Sequence, residues 1–374
     1  MNKGAYMKTS IPVHDGNTLA ALQGFLKQLL EIGLVEALLV PMRTSSGTVT
    51  PALVHSPDLL SAADPLAPVM AVNSAAWVGK LSAKEPRPKV GVVLRSCELR
   101  ALVELAKMQQ ASLDDLTLIA VDCAGTYSVP SYMKQVTSGV ENLWRDLFHA
   151  AVNTPESSDV DLRPACRICE QPVYDGARVT VELIGSDLDR EIRLSLPEEM
   201  ASRLELSQAA PNDRPEIVEK YTTARLAARD MEFAAIRERL DGQEGLTGVF
   251  AACIRCHNCM TVCPICYCKT CVFRSPVFEH EPMQYVNWAK QKGAHRMPPD
   301  TVIFHMTRLN HMSLSCVGCG MCTEACPSEL PVGMVFRAIG QRVQETFEYT
   351  PGRSLDDALP LVTFKADEWT DVGE

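Results

Sequence analysis

The stretch Cys253-Ile254-Arg255-Cys256-His257-Asn258-Cys259-Met260-Thr261-Val262-Cys263-Pro264 has a counterpart in Cys316-Val317-Gly318-Cys319-Gly320-Met321-Cys322-Thr323-Glu324-Ala325-Cys326-Pro327. Both read Cys-x2-Cys-x2-Cys-x3-Cys-Pro. Two intervening residues let three consecutive thiolates curl around one cube of iron and sulfide. The fourth cysteine points away and, in the bacterial two-cluster run, ligates the other cube. The spacing therefore predicts two 4Fe–4S clusters with exchanged outer ligands. Cys253, Cys256, Cys259 and Cys326 serve one cluster, and Cys316, Cys319, Cys322 and Cys263 serve the other. Zinc ribbons instead use paired Cys-x2-Cys units, not triplets ending in Cys-Pro. Clusters of this kind hold and pass single electrons.

Composition agrees with that chemistry. The chain has 374 residues, 46% of them hydrophobic and 22% charged, which predicts a folded protein with a real core and room for two or three domains. A formal net charge of -10 disfavours nucleic acid as a partner. The start, Met1 to Lys8, lacks the apolar centre of a signal peptide. The stretch Ile32 to Met42 contains Glu36 and is too short to span a bilayer, so no transmembrane segment is expected. Fifteen cysteines in such a chain read as metal ligands in a reducing cytoplasm rather than disulfides, and in an anaerobic host.

Outward from the cysteine runs, the chain reads as α/β (α+β): an N-terminal open mixed sheet with flanking helices, then a two-cluster ferredoxin-like domain with a helical insertion. Expected helices are Thr18–Glu31, Ala71–Leu81, Glu98–Gln110, Ser131–Val152 and Pro215–Leu240, and expected strands are Val35–Val40, Thr48–Val54, Lys89–Leu94 and Leu116–Val121. Val179–Ile184 and Glu191–Leu196 suit a hairpin. The expected division is 1–150 as an α/β flavin-binding-type domain and 151–244 as a hairpin with a Cys-x2-Cys pair and a connector helix. Residues 245–345 form the two-cluster domain and 346–374 a tail. The long segment between Cys263 and Cys316 carries two helical stretches, Met283–Lys292 and Thr301–His311. A βαββαβ ferredoxin core with a helical insertion is preferred over the alternative, a helical ferredoxin type. Neither Gly-x-Gly-x-x-Gly after a strand nor a phosphate-binding Gly-x-x-x-x-Gly-Lys-Ser/Thr occurs.

Seven further cysteines need places. Cys97 follows one expected strand and Cys123 the next, so parallel pairing brings both to the carboxyl edge of the sheet. Cys166 and Cys169 add a pair from a loop. Four thiolates there are enough for a third 4Fe–4S cluster or an all-thiolate zinc site; inert buried thiols are the plainer alternative. Cys266, Cys268 and Cys271 could complete another metal site, exchange with Cys263, or be structural, and the spacing does not choose. His257 between ligands reads as loop, and Tyr127 as packing.

These segments resemble the coenzyme F-420 hydrogenase/dehydrogenase beta-subunit family, in its formate dehydrogenase form with two ferredoxin-type motifs. The resemblance is carried by Leu94-Arg95-Ser96-Cys97-Glu98-Leu99-Arg100-Ala101-Leu102, by Asp122-Cys123-Ala124-Gly125-Thr126-Tyr127 and by Cys166-Arg167-Ile168-Cys169. Phe25 to Val35 resembles the family's first helix and strand. The turn His14-Asp15-Gly16-Asn17-Thr18 departs from the family's glycine-rich turn. The resemblance implies an oxidoreductase subunit with FAD beside a third cluster held by Cys97, Cys123, Cys166 and Cys169. It implies F-420 or another two-electron redox carrier as substrate, and other subunits of a redox complex as partners: formate dehydrogenase, hydrogenase or heterodisulfide-reductase type. The alternative is a flavin-free electron relay, clusters only, joining two partner proteins.

Overall fold

The computed structural model describes residues 5–83, 88–156, 161–243, 245–294, 297 and 299–363. A seven-stranded sheet is built from β1 (Tyr6–Pro12), β2 (Ala37–Arg43), β3 (Val49–Val54), β4 (Val90–Arg95), β5 (Leu116–Val121), β6 (Val179–Glu182) and β7 (Glu191–Pro197). Its order is β1-β7-β6-β5-β4-β2-β3. The inner strands β2, β4, β5 and β6 run parallel; β3, β7 and β1 pair antiparallel at the two edges. Helices α1 (Thr18–Glu31), α2 (Ala75–Ser82), α3 (Ser96–Lys107), α4 (Val129–Thr137), α5 (Leu143–Asn153), α6 (Pro164–Arg167), α7 (Glu198–Arg203) and α8 (Arg214–Asp241) accompany the sheet. The cysteine-rich half holds α9 (Gly245–Val249), α10 (Asn258–Thr261), α11 (Pro282–Lys292), α12 (Pro299–Met312), α13 (Met321–Glu324) and α14 (Val332–Thr346). The open mixed sheet with flanking helices is the architecture expected.

The parallel strands are apolar on both sides because both sides are covered. All six residues of β4 are buried. Val93, Ile119 and Val121 face one core with Leu22, Phe25, Leu26 and Leu29 of α1. The alternate residues Val92, Leu94, Leu118 and Ala120 face a second core with Phe233 of α8, Phe304 of α12 and Val335 and Phe336 of α14. The period of two along each strand thus joins the sheet to the cysteine-rich half through its second face.

Several expectations are corrected. The single helix expected over Ser131–Val152 is two, α4 and α5, because residues 138–142 turn with Gly139 at φ 80° and Asn142 at φ 55°. The strand expected to stop before Pro41 runs through it. There Pro41 faces Pro51 of β3, while β4 pairs only as far as Leu39, so no ladder donor is lost on that side. The helix expected from Ala71 begins at Ala75. The strand β1 went unassigned in the sequence; it is a half-exposed edge strand whose partner, β7, lies far along the chain. The hairpin β6–β7 lies inside the N-terminal sheet. Of the two ferredoxin alternatives, the described residues between 245 and 345 take the helical one: the last named strand, β7, ends at Pro197. Beyond α14 the chain folds back on α3, where Glu104 Oε1 accepts from Tyr349 Oη at 2.5 Å and from the Gly352 amide at 2.7 Å. No helix among the described residues is long and apolar enough to cross a membrane.

Candidate metal centres

Thiols close enough to feel one another's charge fall into three groups of four. Cys253 lies by Cys256 and Cys326, and Cys259 by Cys253, Cys256 and Cys326. Cys263 lies by Cys316 and Cys319, and Cys322 by Cys263, Cys316 and Cys319. Each outer cysteine is thus within electrostatic reach of the opposite triplet. Asn258 Nδ2 donates to the Ala325 carbonyl at 3.4 Å, tying the start of α10 to the far run just before Cys326.

The third group forms at the carboxyl edge of the sheet. Cys97 opens α3 directly after β4, and Cys123 follows β5. Asp122 locks this edge: it accepts from the Leu183 and Ile184 amides at 2.9 and 3.0 Å and pairs with Arg214 of α8. Cys166 and Cys169 approach on α6 and the loop after it. Cys97 lies by Cys123 and Cys169, and Cys123 by Cys166 and Cys169.

The groups stand in series. Cys97 of the third is also a neighbour of Cys319 of the second. The approach is close: a Cβ on Gly320, which has φ 72°, would lie 2.3 Å from that of Ala165. Among the described residues no three His, Cys, Asp or Glu side chains stand close enough for a single metal ion. Thiolates on the corners of an iron–sulfide cube stand farther apart than ligands of one ion. The donor sets are four thiols each, two of the sets in the ferredoxin-type spacing, and so fit 4Fe–4S clusters.

Two buried arginines occupy the spaces between the groups. Arg308 of α12 donates from Nη1 to Cys259 Sγ at 3.1 Å and from Nη2 to the Cys259 carbonyl at 3.0 Å, and its charge also reaches Cys263 and Cys322. Arg163 donates from Nη2 to Cys166 Sγ at 3.5 Å and its charge reaches Cys97 and Cys319. His305, one turn before Arg308, lies with Nε2 at 3.4 Å from Cys253 Sγ and stacks on Phe250. None of these three was singled out in the sequence. For His305 and Arg308 the only local signal was polar residues beside Phe304 on a half-apolar helix, and their thiol partners lie about fifty positions away; Arg163 stands three positions before its partner Cys166.

Burial dominates the acidity of the thiols. It pushes Cys97 well up, Cys123 to about 11 against the pull of Arg95, and Cys319 to about 11. Burial also acts on Cys166, but the Arg163 guanidinium and hydrogen bonds with Thr126 outweigh it and hold that thiol below its ordinary value. Burial and the charge of Arg308 push His305 down to about 4, so its ring is neutral at pH 7. Metal loading must displace the thiol protons.

Cys266 lies near Cys268, Cys271, Arg308 and Arg274, and Cys271 Sγ is 3.6 Å from Met260 Sδ. His257 turns the chain into α10 at φ 59°, as loop, and Tyr127 is buried, as packing.

Three hollows adjoin the thiols. A small one, of about 30 Å³, is lined by Cys263, Cys316, Cys319 and Cys322 themselves. Another, of about 10 Å³, is lined by Pro65, Arg95, Cys123, Gly125, Trp144 and Phe148. It is smaller than the roughly 300–1,000 Å³ of ordinary ligand sites. The third, of about 430 Å³, runs beside Cys316 and is lined in part by Arg100, Glu170, Arg229 and Arg337. Its cations are engaged: Arg337 with Glu170 at 2.5 Å, Arg229 with Asp230 at 2.7 Å, and Arg100 with the Pro351 carbonyl at 2.9 Å.

A family model described as a 4Fe-4S dicluster domain matches residues 252–331. The F420-dependent formate dehydrogenase subunit beta of Methanocaldococcus jannaschii is 26% identical over 313 residues, covering 75% of this chain and 78% of that protein. The F420-dependent formate dehydrogenase 1 subunit beta of Methanococcus maripaludis is 26% identical over 397 residues, covering 96% of this chain and 97% of that protein. Among solved structures, a chain of the F420-reducing NiFe hydrogenase complex from Methanosarcina barkeri overlaps with a TM-score of 0.44 at 11% identity, covering 62% of this chain and 94% of that one. The resemblance read from the sequence stands on the two beta-subunit relatives.

Proposed function

We propose that this chain, an iron–sulfur protein similar to the beta subunits of F420-dependent formate dehydrogenases, is the electron-transfer subunit of an F-420-linked redox complex with a formate-oxidising partner. The observation that carries the reading is the serial placement of three groups of four thiols: Cys97, Cys123, Cys166 and Cys169; then Cys316, Cys319, Cys322 and Cys263; then Cys253, Cys256, Cys259 and Cys326. When bound there, 4Fe–4S clusters supply one-electron storage and transfer. The protein's own part is to hold them in line, exclude water and bias their potentials. Half-burial of Cys97, Cys263 and Cys322 limits solvent along the series. Arg163 and Arg308 place positive charge and N–H donors against the sulfurs, which favours the more negative, reduced state.

Iron, acid-labile sulfide and flavin measured together on anaerobically purified protein test the reading. About twelve irons per chain are expected for three clusters; about eight would remove the third group. Stoichiometric FAD would make the chain a flavoprotein that exchanges electron pairs with F-420. Its absence after gentle reconstitution would leave the flavin-free relay, which the fully engaged cations of the wide cleft favour. Cys97→Ser is expected to lower iron by one cluster and spare the other two. Unchanged iron would strike Cys97 from the ligand set.

A further inference from the structure

Of the twelve thiols in the three groups, Cys256 alone is exposed. The rest are buried or half-buried, so the series opens to solvent at one end. What surrounds that end is unusual for a protein surface. Helix α11 has no buried residue although it carries Met283, Tyr285, Val286 and Trp288. Val277 is 71% exposed and Ile254, in the same run as Cys256, 67%. The helix is nonetheless anchored beside Cys256. Arg255 Nη1 donates to Tyr285 Oη, Arg255 Nη2 donates to the Phe278 carbonyl at 3.2 Å, and Tyr285 packs edge-on against Trp288 at 5.4 Å. A held helix that leaves its apolar side chains in water marks an interaction surface rather than a loose segment.

The charge of this surface contrasts with the rest of the chain. Arg255 is neutralised by Asp300 at 2.6 Å; the rest of residues 253–292 hold four basic residues, Lys269, Arg274, Lys290 and Lys292, against two acidic ones, Glu279 and Glu281, a net +2 within a chain of net -10. Lys290 and Lys292 are exposed in the last turn of α11, where the negative end of the helix dipole favours them. An apolar centre with a basic rim fits a partner with an apolar centre and an acidic rim.

We infer that the surface formed by α11, Val272, Val277 and Ile254 around Cys256 is the port at which an acidic iron–sulfur protein docks to exchange single electrons with the group Cys253, Cys256, Cys259 and Cys326. The inference rests on the cluster reading above. The port is furnished by the segment between the two cysteine runs, which gives that segment a purpose beyond linking them. One electron crosses per encounter: the donor's cluster is oxidised, the acceptor's reduced, and no proton or bond is involved.

The test uses the full-length, iron-loaded chain and, as probe, a small acidic ferredoxin carrying two 4Fe–4S clusters, reduced beforehand. Stopped-flow absorbance follows electron arrival. Lys290→Glu combined with Lys292→Glu, and separately Val286→Asp, are expected to slow the second-order rate by about tenfold or more, and raising salt is expected to slow the wild type. Neither change touches a buried residue, so iron content and melting temperature are expected to hold. Wild-type rates in both variants, together with a rate indifferent to salt, would overturn the port. Iron-free protein would instead sink the cluster reading, which the same samples report independently.

Discussion

Arg308 reaches thiols of two groups at once, donating to Cys259 and facing Cys263 and Cys322 from 4% exposure. A guanidinium in so dry a position interacts strongly with any charge that arrives beside it. Replacing it with methionine keeps much of the volume over Phe304 and Phe336 but removes the charge and the N–H donors. Arg308→Met is therefore expected to lower the midpoint potential of the cluster held by Cys259, read by an EPR-monitored redox titration, with partial recovery in Arg308→Lys. A potential that stays put or rises would show that the arginine serves packing alone. Cys253 has a second donor candidate in His305, whose neutral ring lies across from it. Nothing in the linear chain marked these residues. A cysteine announces itself by spacing, whereas an arginine becomes a cluster neighbour only through a contact with a residue some fifty positions away.

At the scale of elements, the carboxyl edge of the sheet shows how a structural ion pair positions a chemical site. Asp122 ends β5 and is held by two amides after β6 and by Arg214 at the start of α8. Cys123 is its neighbour in sequence, so the pair sets where that thiol stands. Asp122→Ala removes the nearer of two carboxylates from Arg214, leaving Glu182 at 3.6 Å, and strands the Leu183 and Ile184 amides; it is expected to cost about 2–3 kcal/mol of stability, below the roughly 3–5 kcal/mol of a charge left wholly unpaired, measured by urea unfolding. A loss below about 1 kcal/mol would show that Glu182 alone satisfies Arg214. The corner itself was legible: an apolar strand followed by Ser96-Cys97 or Asp122-Cys123 reads as a strand end under a helix. The break between α4 and α5 was not read as one, because apolar spacing runs through Val136, Val140 and Leu143, and only the left-handed backbone at Gly139 and Asn142 interrupts it. Val140 is 43% exposed, so the apparent apolar face was never a single face.

For the whole molecule, two cores share one sheet, and the second joins Val92, Leu94 and Leu118 to Phe233, Phe304 and Phe336. The cysteine-rich half owns only short helices around its thiols, four residues each in α10 and α13. Such turns are too short to persist unaided, so the clusters are expected to organise this half as structural metals do. Chelating the iron under argon is expected to speed hydrogen exchange at the amides of α10 and α13 while β4 and β5 stay protected. Equal protection before and after stripping would mean that packing alone holds the cysteine runs. The wide cleft beside Cys316 also belongs to this scale, since its walls come from α3, α8, α14 and the returning C-terminal strand of chain around Tyr349.

Spacing alone gave the expectation that each run holds a triplet and lends its outer thiol to the opposite run, and it determined that strands and helices alternate in the first half. These follow from short-range geometry: a thiolate reaches only as far as two or three residues allow, and a side-chain period exposes or buries a face locally. Only the tertiary structure decided that the three groups stand in series, that Arg163 and Arg308 fill the gaps, that the ferredoxin-type half is helical, and that α11 lies uncovered beside Cys256. Those depend on contacts between residues far apart in the chain, whose partners are chosen by the packing of the sheet's second face rather than by any local pattern.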